Sequence, residues 1–304
     1  MNRTITLFLA VAVMLTAVSC HQTRQTPEPS SAAVDRAGNP VTLPKKIDKI
    51  ISIGPATTEI LIALGLAEKI IAADTYSRDV AGLAPGIPLF SIMAPDAERI
   101  ILLEPDVIFV TGMSKVGSID PFAAVSDVGI CVLSIPTSVS LADIKADIRF
   151  IAKVTGTDEK GEEIVANMEK TIDAISKIGD TIIDKKTVYF EISSVPNLYS
   201  FGSGVFLNEM LEILGAENLL ADRKQWVTVG EEAILDRNPD VILTNEHSTG
   251  KSVDEILARP GWNVLTAVQN RDVHFIDPTS SSRPSHNIVK ALQEMAKAVY
   301  PDKY

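Results

Sequence analysis

The side chains of this 304-residue chain that could do chemistry are few and scattered. Its histidines are His21, His247, His274 and His286, and none of them has the short spacing that places two imidazoles on one metal ion. Phe201-Gly202-Ser203-Gly204 lacks the first glycine of a nucleophile elbow, and the chain has neither a P-loop nor a His-Glu-x-x-His helix. Carboxylates are plentiful, but nearness in sequence does not make two of them an acid/base pair. What remains suits the holding of a ligand: Tyr76, Ser91, Met113, Ser193, Ser194, Tyr199, Trp226, His247 and Arg283. An aromatic face gives a large, partly apolar ligand contact area at little cost in rotamer entropy. A guanidinium can pair with a carboxylate or an anionic chelate. A site for bare zinc or manganese, built from histidines that converge in space, is the nearer alternative, and a hydrolase is the remoter one.

These residues fall near the ends of strand patterns. From Lys49 onward β-type runs alternate with helical patterns, which implies βα units and a mostly parallel sheet. Open α/β sheets bind ligands beyond the carboxyl ends of their strands, here the loops after Ile53, Ala73, Val110, Glu191, Thr244 and Ile276. The units also recur. Asp96 to Val110 has a counterpart in Gly230 to Thr244, each a short helix, a Pro-Asp turn and an apolar strand. Glu59-Ile60-Leu61-Ile62-Ala63-Leu64-Gly65 is echoed by Glu209-Met210-Leu211-Glu212-Ile213-Leu214-Gly215, both closed by a helix-terminating glycine. The echoes keep their order, so the chain reads as two related α/β lobes. Between them Ile164, Met168, Ile172 and Ile175 fall on one face of a helix that Thr157 can cap. The expected division is a signal peptide over 1–19, a flexible tether over 20–34, an N-terminal lobe over 35–156, a connecting helix over 157–179 and a C-terminal lobe over 180–304. One rigid connection predicts small tilts of the lobes rather than wide closure.

With 28 basic against 39 acidic side chains, a net charge of −11, the chain is poorly suited to a phosphate backbone, and nucleic acid is not an expected partner. The apolar run Ile5 to Val18 is too short to span a bilayer comfortably and reads as the core of a signal peptide. Its end, Ala17-Val18-Ser19-Cys20, resembles the bacterial lipobox, cut before a lipid-modified cysteine. That leaves Cys131 as the single other cysteine, so no disulfide is available and Cys131 is expected in the core. Export, a lipid anchor on Cys20 as the only membrane attachment, and a location on the outer face of the cytoplasmic membrane or in the periplasm follow as expectations.

Six segments together resemble the substrate-binding lipoproteins of bacterial ABC importers for ferric siderophores, haem and cobalamin. They are Asp35-Arg36-Ala37-Gly38-Asn39-Pro40-Val41-Thr42-Leu43-Pro44, Lys49 to Glu59, Pro105-Asp106-Val107-Ile108, Gly215-Ala216-Glu217-Asn218, Pro239-Asp240-Val241-Ile242 and Pro260-Gly261-Trp262. The resemblance runs from about Asp35 to Tyr300. It implies two Rossmann-like α/β lobes joined by one long helix, with the ligand cleft between the lobes. It further implies a non-enzymatic monomer without a resident cofactor, whose partners are a metal chelate and a permease dimer with its ATPase. A ferric siderophore is the first expected cargo, followed by cobalamin and haem. By resemblance Trp226 faces the ligand, while Trp262 is a packing residue. Glutamates, one per lobe, dock on the permease. Glu59 matches the first, and Glu232 fits the second by its interval from Trp226, although Glu209 is the repeat partner of Glu59. A surface adhesin on the same scaffold remains an alternative from another class.

Overall fold

Strands buried on both faces need nearly continuous apolar, β-branched sequence, and that is what Ile50–Ile53 and Val107–Thr111 provide. The computed structural model describes residues 31–114 and 120–304. The expected signal peptide and Cys20 lie outside the described residues. The N-terminal lobe runs β1 (Ser31–Val34), β2 (Pro40–Leu43), β3 (Ile50–Ile53), α1 (Pro55–Ala63), β4 (Ile70–Asp74), β5 (Leu89–Phe90), α2 (Ala97–Leu102), β6 (Val107–Thr111), α3 (Ala123–Asp127), β7 (Cys131–Ile135) and α4 (Leu141–Thr155). Its parallel sheet has the order β5-β4-β3-β6-β7. The tether expected over 20–34 is shorter at its C-terminal end, because Ser31–Val34 pairs antiparallel with β2.

Helix α5 (Asp158–Gly179) then leads into the second lobe. That lobe comprises β8 (Thr187–Glu191), β9 (Tyr199–Phe201), α6 (Phe206–Ile213), β10 (Glu217–Asn218), β11 (Trp226–Thr228), α7 (Glu231–Arg237), β12 (Val241–Thr244), α8 (Ser252–Leu257), α9 (Thr266–Gln269), β13 (Val273–Phe275), α10 (Pro278–Ser282) and α11 (Ile288–Val299). Its parallel sheet has the order β10-β8-β12-β13, and β9 and β11 form a separate antiparallel ribbon. The two sequence echoes are structural equivalents, with α2-β6 matching α7-β12 and α1 matching α6. Gly65 and Gly215 end α1 and α6 with φ of 82° and 83°, backbone that glycine adopts without strain.

Helix α5 packs on α4 from the first lobe and on α6 and α11 from the second. One hydrophobic cluster runs through all of them, with Leu61 of α1, Ile148 of α4, Met168 of α5, Met210 of α6 and Met295 of α11 among its members. The lobes therefore share a core and are more than beads on a connecting helix. Trp262 is fully buried in a second cluster, edge-on to Tyr189, and its indole N–H donates to Glu231 over 2.8 Å. Cys131 is half-buried on β7 rather than fully enclosed, and burial pushes its thiol up to about 11.

At the end of α5 the backbone of Gly179 lies against the end of α6. A Cβ there would meet the Ile213 carbonyl oxygen at 2.2 Å and the Gly215 nitrogen at 2.9 Å. Since both obstacles are backbone, Gly179→Ala should destabilise the protein by roughly 1–3 kcal/mol, the usual range for overpacking. Urea unfolding of the purified chain measures this, and an unchanged midpoint would show that the two helix ends can separate freely.

Candidate functional site

The carboxyl ends of β3, β4 and β6 make one wall of the space between the lobes. Gly54 carries the chain from β3 into α1 at φ 152°, and a Cβ on it would stand 3.4 Å from that of Thr111. The buried carboxylate of Asp74 fixes this corner, accepting the Gly54 N–H at 2.9 Å, the Tyr76 N–H at 2.8 Å and the Ser77 hydroxyl. It thereby sets both the start of α1 and the loop that presents Tyr76, whose ring is 67% exposed. Met113 follows β6 at the same edge, and Ile60, Ile92 and Ile135 supply the apolar surface.

The floor of this wall is held from behind. Asp147 of α4 is buried yet reaches the cleft. Its carboxylate accepts Arg36 Nε at 2.6 Å and the Ser138 hydroxyl at 2.7 Å. Burial outweighs these partners and raises its pKa. Arg36 stays in place because its neighbour Asp35 locks the turn. Asp35 accepts the Ala37 and Asn39 N–H groups at 2.9 and 2.8 Å, and it ties the segment to β7 through the Ser134 N–H at 3.0 Å. The Asp35-Arg36-x-Gly38 segment, which the sequence offered only as a marker of resemblance, thus braces the cleft.

The opposite wall comes from the second lobe. Trp226 on β11 is 37% exposed and lies edge-on to Phe201 and Phe206, with both centroid distances 6.1 Å. Phe206, His247 and the residues of α10 complete this side. The cleft so enclosed has a volume of about 550 Å³, within the range of small-molecule and cofactor sites. Of the expected ligand residues it gathers Trp226, Arg283, Tyr76 and Met113, with His247 besides. Ser91 and Tyr199 do not line it. Ser91 instead accepts the Ala94 N–H at 3.1 Å, and Tyr199 is committed to the β9–β11 ribbon and to a bridge with Ser193. Ser194 accepts from Arg259, which is paired with buried Glu191. The sequence did not single out Phe206, Asp147, Ile92 or Ile135. For Phe206 a signal existed, because the Glu59/Glu209 echo pairs it with Ala56, and both line the cleft.

The two echoed glutamates cross the lobe boundary. Glu59 is only 6% exposed, contrary to its expected place as a surface docking acid. It accepts Arg283 Nη1 and Asn287 Nδ2 at 2.9 Å each, and also the Ser285 hydroxyl, all from the segment entering α11. Arg283 reaches on to the Tyr76 carbonyl at 3.3 Å. Glu209 makes the reciprocal contact, accepting the N–H of Leu141 at the start of α4 over 2.8 Å. Glu232, in the first turn of α7, is exposed. His274 bonds to Asp272 at 2.7 Å, and His286 is largely buried beside Glu59, with burial lowering its pKa. Among the described residues no three His, Cys, Asp or Glu side chains cluster to hold a metal ion. No described helix is long and apolar enough to cross a membrane.

Residues 50–279 match the model of the periplasmic binding protein family, and this chain belongs to that family. It is 31% identical over 287 residues to the uncharacterized ABC transporter substrate-binding lipoprotein YvrC of Bacillus subtilis, covering 92% of this chain and 89% of that protein. The molybdate-binding protein MolA of Haemophilus influenzae is 26% identical over 307 residues, covering 89% and 85%. A crystal structure of a possible iron-binding, periplasmic solute-binding protein from Staphylococcus epidermidis superposes with a TM-score of 0.75 at 29% identity, covering 84% of this chain and all of that one.

The different settings of the two carboxylates have a measurable consequence. Glu59→Ala leaves the buried hydroxyl of Ser285 and the half-buried amide of Asn287 without this acceptor and should cost about 1–3 kcal/mol of stability. Glu232→Ala removes an exposed side chain and should stay within about 0.5 kcal/mol. Chemical denaturation of both variants tests this, and equal, negligible losses would place Glu59 at the surface in solution.

Proposed function

We propose that this protein captures a metal chelate outside the cytoplasmic membrane and delivers it to an ABC permease and its ATPase, performing no reaction itself. The observation that carries this reading is the cleft: about 550 Å³ between two α/β lobes, walled by Trp226, Phe206, Ile60, Ile92 and Ile135, with polar groups at its edges. Such a wall gains binding energy from apolar area and fits a bulky, rounded or flat chelate. A small tetrahedral oxyanion such as molybdate calls instead for converging N–H and O–H donors in a much smaller space. A ferric siderophore remains the first cargo, in keeping with the similarity to a possible iron-binding protein, and cobalamin and haem follow. The resemblance to substrate-binding lipoproteins supports anchoring through Cys20.

For docking, we assign Glu232 on α7, one of several exposed acids of the second lobe, by its interval from Trp226. An exposed ion pair adds only ~0–1 kcal/mol, so its value to a complex lies in orientation and partner choice. On the first lobe Glu59 could serve only by exchanging Arg283 for a cation of the permease.

Titration of the purified chain with ferrichrome, cyanocobalamin, haemin, molybdate and Zn²⁺, followed by tryptophan fluorescence, tests the cargo. Saturable quenching by one chelate at micromolar or tighter strength is expected, and Trp226→Ala should weaken it at least tenfold. Binding of molybdate or Zn²⁺ alone would replace this reading. For docking, Glu232→Lys should impair capture by the reconstituted permease while leaving chelate affinity unchanged, and full capture by that variant would remove Glu232 from the interface.

A further inference from the structure

The charges that reach the cleft are already spent on one another. Among the described residues four titratable side chains line it: Tyr76, whose phenol is ordinarily neutral at pH 8, and Asp147, His247 and Arg283. Arg283 is held by Glu59 at 2.9 Å, and Asp147 by Arg36 at 2.6 Å. Both pairs close inside the wall, with Glu59 and Asp147 themselves buried. His247 is exposed at the mouth, its Nδ1 3.2 Å from the Asn245 carbonyl oxygen.

From this arrangement we infer that the cleft selects chelates without net charge and discriminates against both anionic and cationic ones. The inference rests on the chelate-binding reading above and narrows it. An anionic ligand that drew Arg283 to itself would strip the guanidinium from Glu59, leaving a buried carboxylate with Ser285 and Asn287 as its neutral donors among the described residues. A cationic ligand that drew Asp147 would take the closest acid partner from Arg36, a partly buried guanidinium whose other acid contact among the described residues is Asp143 at 3.9 Å. Breaking such a pair costs more than the new contact returns, because the abandoned charge stays desolvated, fully for Glu59 and in part for Arg36. The apolar surface of Ile60, Ile92, Ile135, Phe206 and Trp226 deepens that penalty, since none of these side chains can solvate an unpaired charge except through a weak edge or face interaction. A neutral chelate leaves both pairs intact and gains the apolar contact. The overall charge of −11 on the chain acts in the same direction against anions, at longer range.

The test uses probes of different charge on the full mature chain at pH 8, above the ordinary titration range of histidine. They are ferrichrome and cyanocobalamin, both neutral overall, ferric enterobactin as a trianion and ferrioxamine B as a cation. One of the neutral probes should bind at least tenfold more tightly than either charged one. Because the probes also differ in size, the decisive readout is the change in preference when one wall charge is released. Glu59→Gln frees Arg283 and should raise affinity for ferric enterobactin relative to the neutral probe about tenfold. Arg36→Gln frees Asp147 and should do likewise for ferrioxamine B. Thermal melts of both variants confirm that they are folded. Tighter binding of ferric enterobactin or ferrioxamine B by the wild-type chain, or ratios that neither variant shifts, would overturn the inference while leaving a chelate binder. Silence toward every probe would overturn the chelate reading itself, and this inference with it.

Discussion

Everything in the cleft depends on how the two lobes are held against each other, and that is decided by two carboxylates, one buried and one half-buried, crossing the boundary in both directions. Glu59 reaches from α1 to the segment entering α11, and Glu209 reaches from α6 to the start of α4. Helices α1 and α6 are the repeat equivalents, and α4 and α11 are each the last helix of a lobe packed on α5. Each lobe thus supplies an acid near the amino-terminal end of the other's last helix, Glu209 accepting a backbone N–H of α4 and Glu59 accepting side-chain donors just before α11, and the helix dipole favours negative charge at both places. The pseudo-twofold arrangement explains why both glutamates occur at the same place in the repeat without any appeal to an external partner. Beneath them a continuous apolar core joins α1, α4, α5, α6 and α11. Sliding one lobe over the other would expose that core and unpair the acids together.

The electrostatics of the molecule follow a division of labour. The chain is strongly acidic, yet the wall of its cleft neutralises its own charges through long-range pairs, Arg36 with Asp147 and Arg283 with Glu59, separated by 111 and 224 residues. Exposed pairs such as Arg237 with Asp222, which lowers the Asp222 carboxyl to about 2, lie on the surface and add little to stability. The consequential pairs are those whose dissociation would leave a charge in a dry place. Both of them border the cleft, so on the inference drawn above the stability of the walls and the choice of ligand rest on the same side chains.

This division also accounts for what could be read from the chain. The α/β character, the two lobes and the long helix were legible because they rest on local pattern: apolar β-branched runs, Pro-Asp turns and terminating glycines repeated in order. Trp226, Tyr76, Met113 and Arg283 line the cleft as expected; the rule that ligands sit at the carboxyl ends of parallel strands nominated them from strand positions alone, with the family resemblance adding its support for Trp226. The same rule over-reached at Ser91 and Tyr199, because it cannot tell a residue facing the cleft from one consumed by a turn or by the β9–β11 ribbon. Glu59 shows the harder limit. Its sequence surroundings are those of a helix glutamate, and only the arrival of Ser285 and Asn287 from the far end of the chain makes it a buried one. Asp147 was missed for the same reason, its meaning residing in Arg36.

The mechanical consequence concerns how a ligand enters. A single helix bridging two lobes leaves open a hinge about its ends, but α5 does not stand free: Gly179 is seated against the backbone at the end of α6, and α4 covers its opposite part. Rotation there is therefore limited to what side-chain packing tolerates, which in a close-packed core is small. The compliant parts lie at the mouth instead, where Tyr76 and Met113 are exposed and Arg283 spans the gap to Glu59 and the Tyr76 carbonyl. On the chelate-binding proposal, a ligand entering past Tyr76 must displace or skirt this arginine. The Arg283–Glu59 contact therefore joins the lobes where the cleft opens, and its strength opposes separation of the walls there.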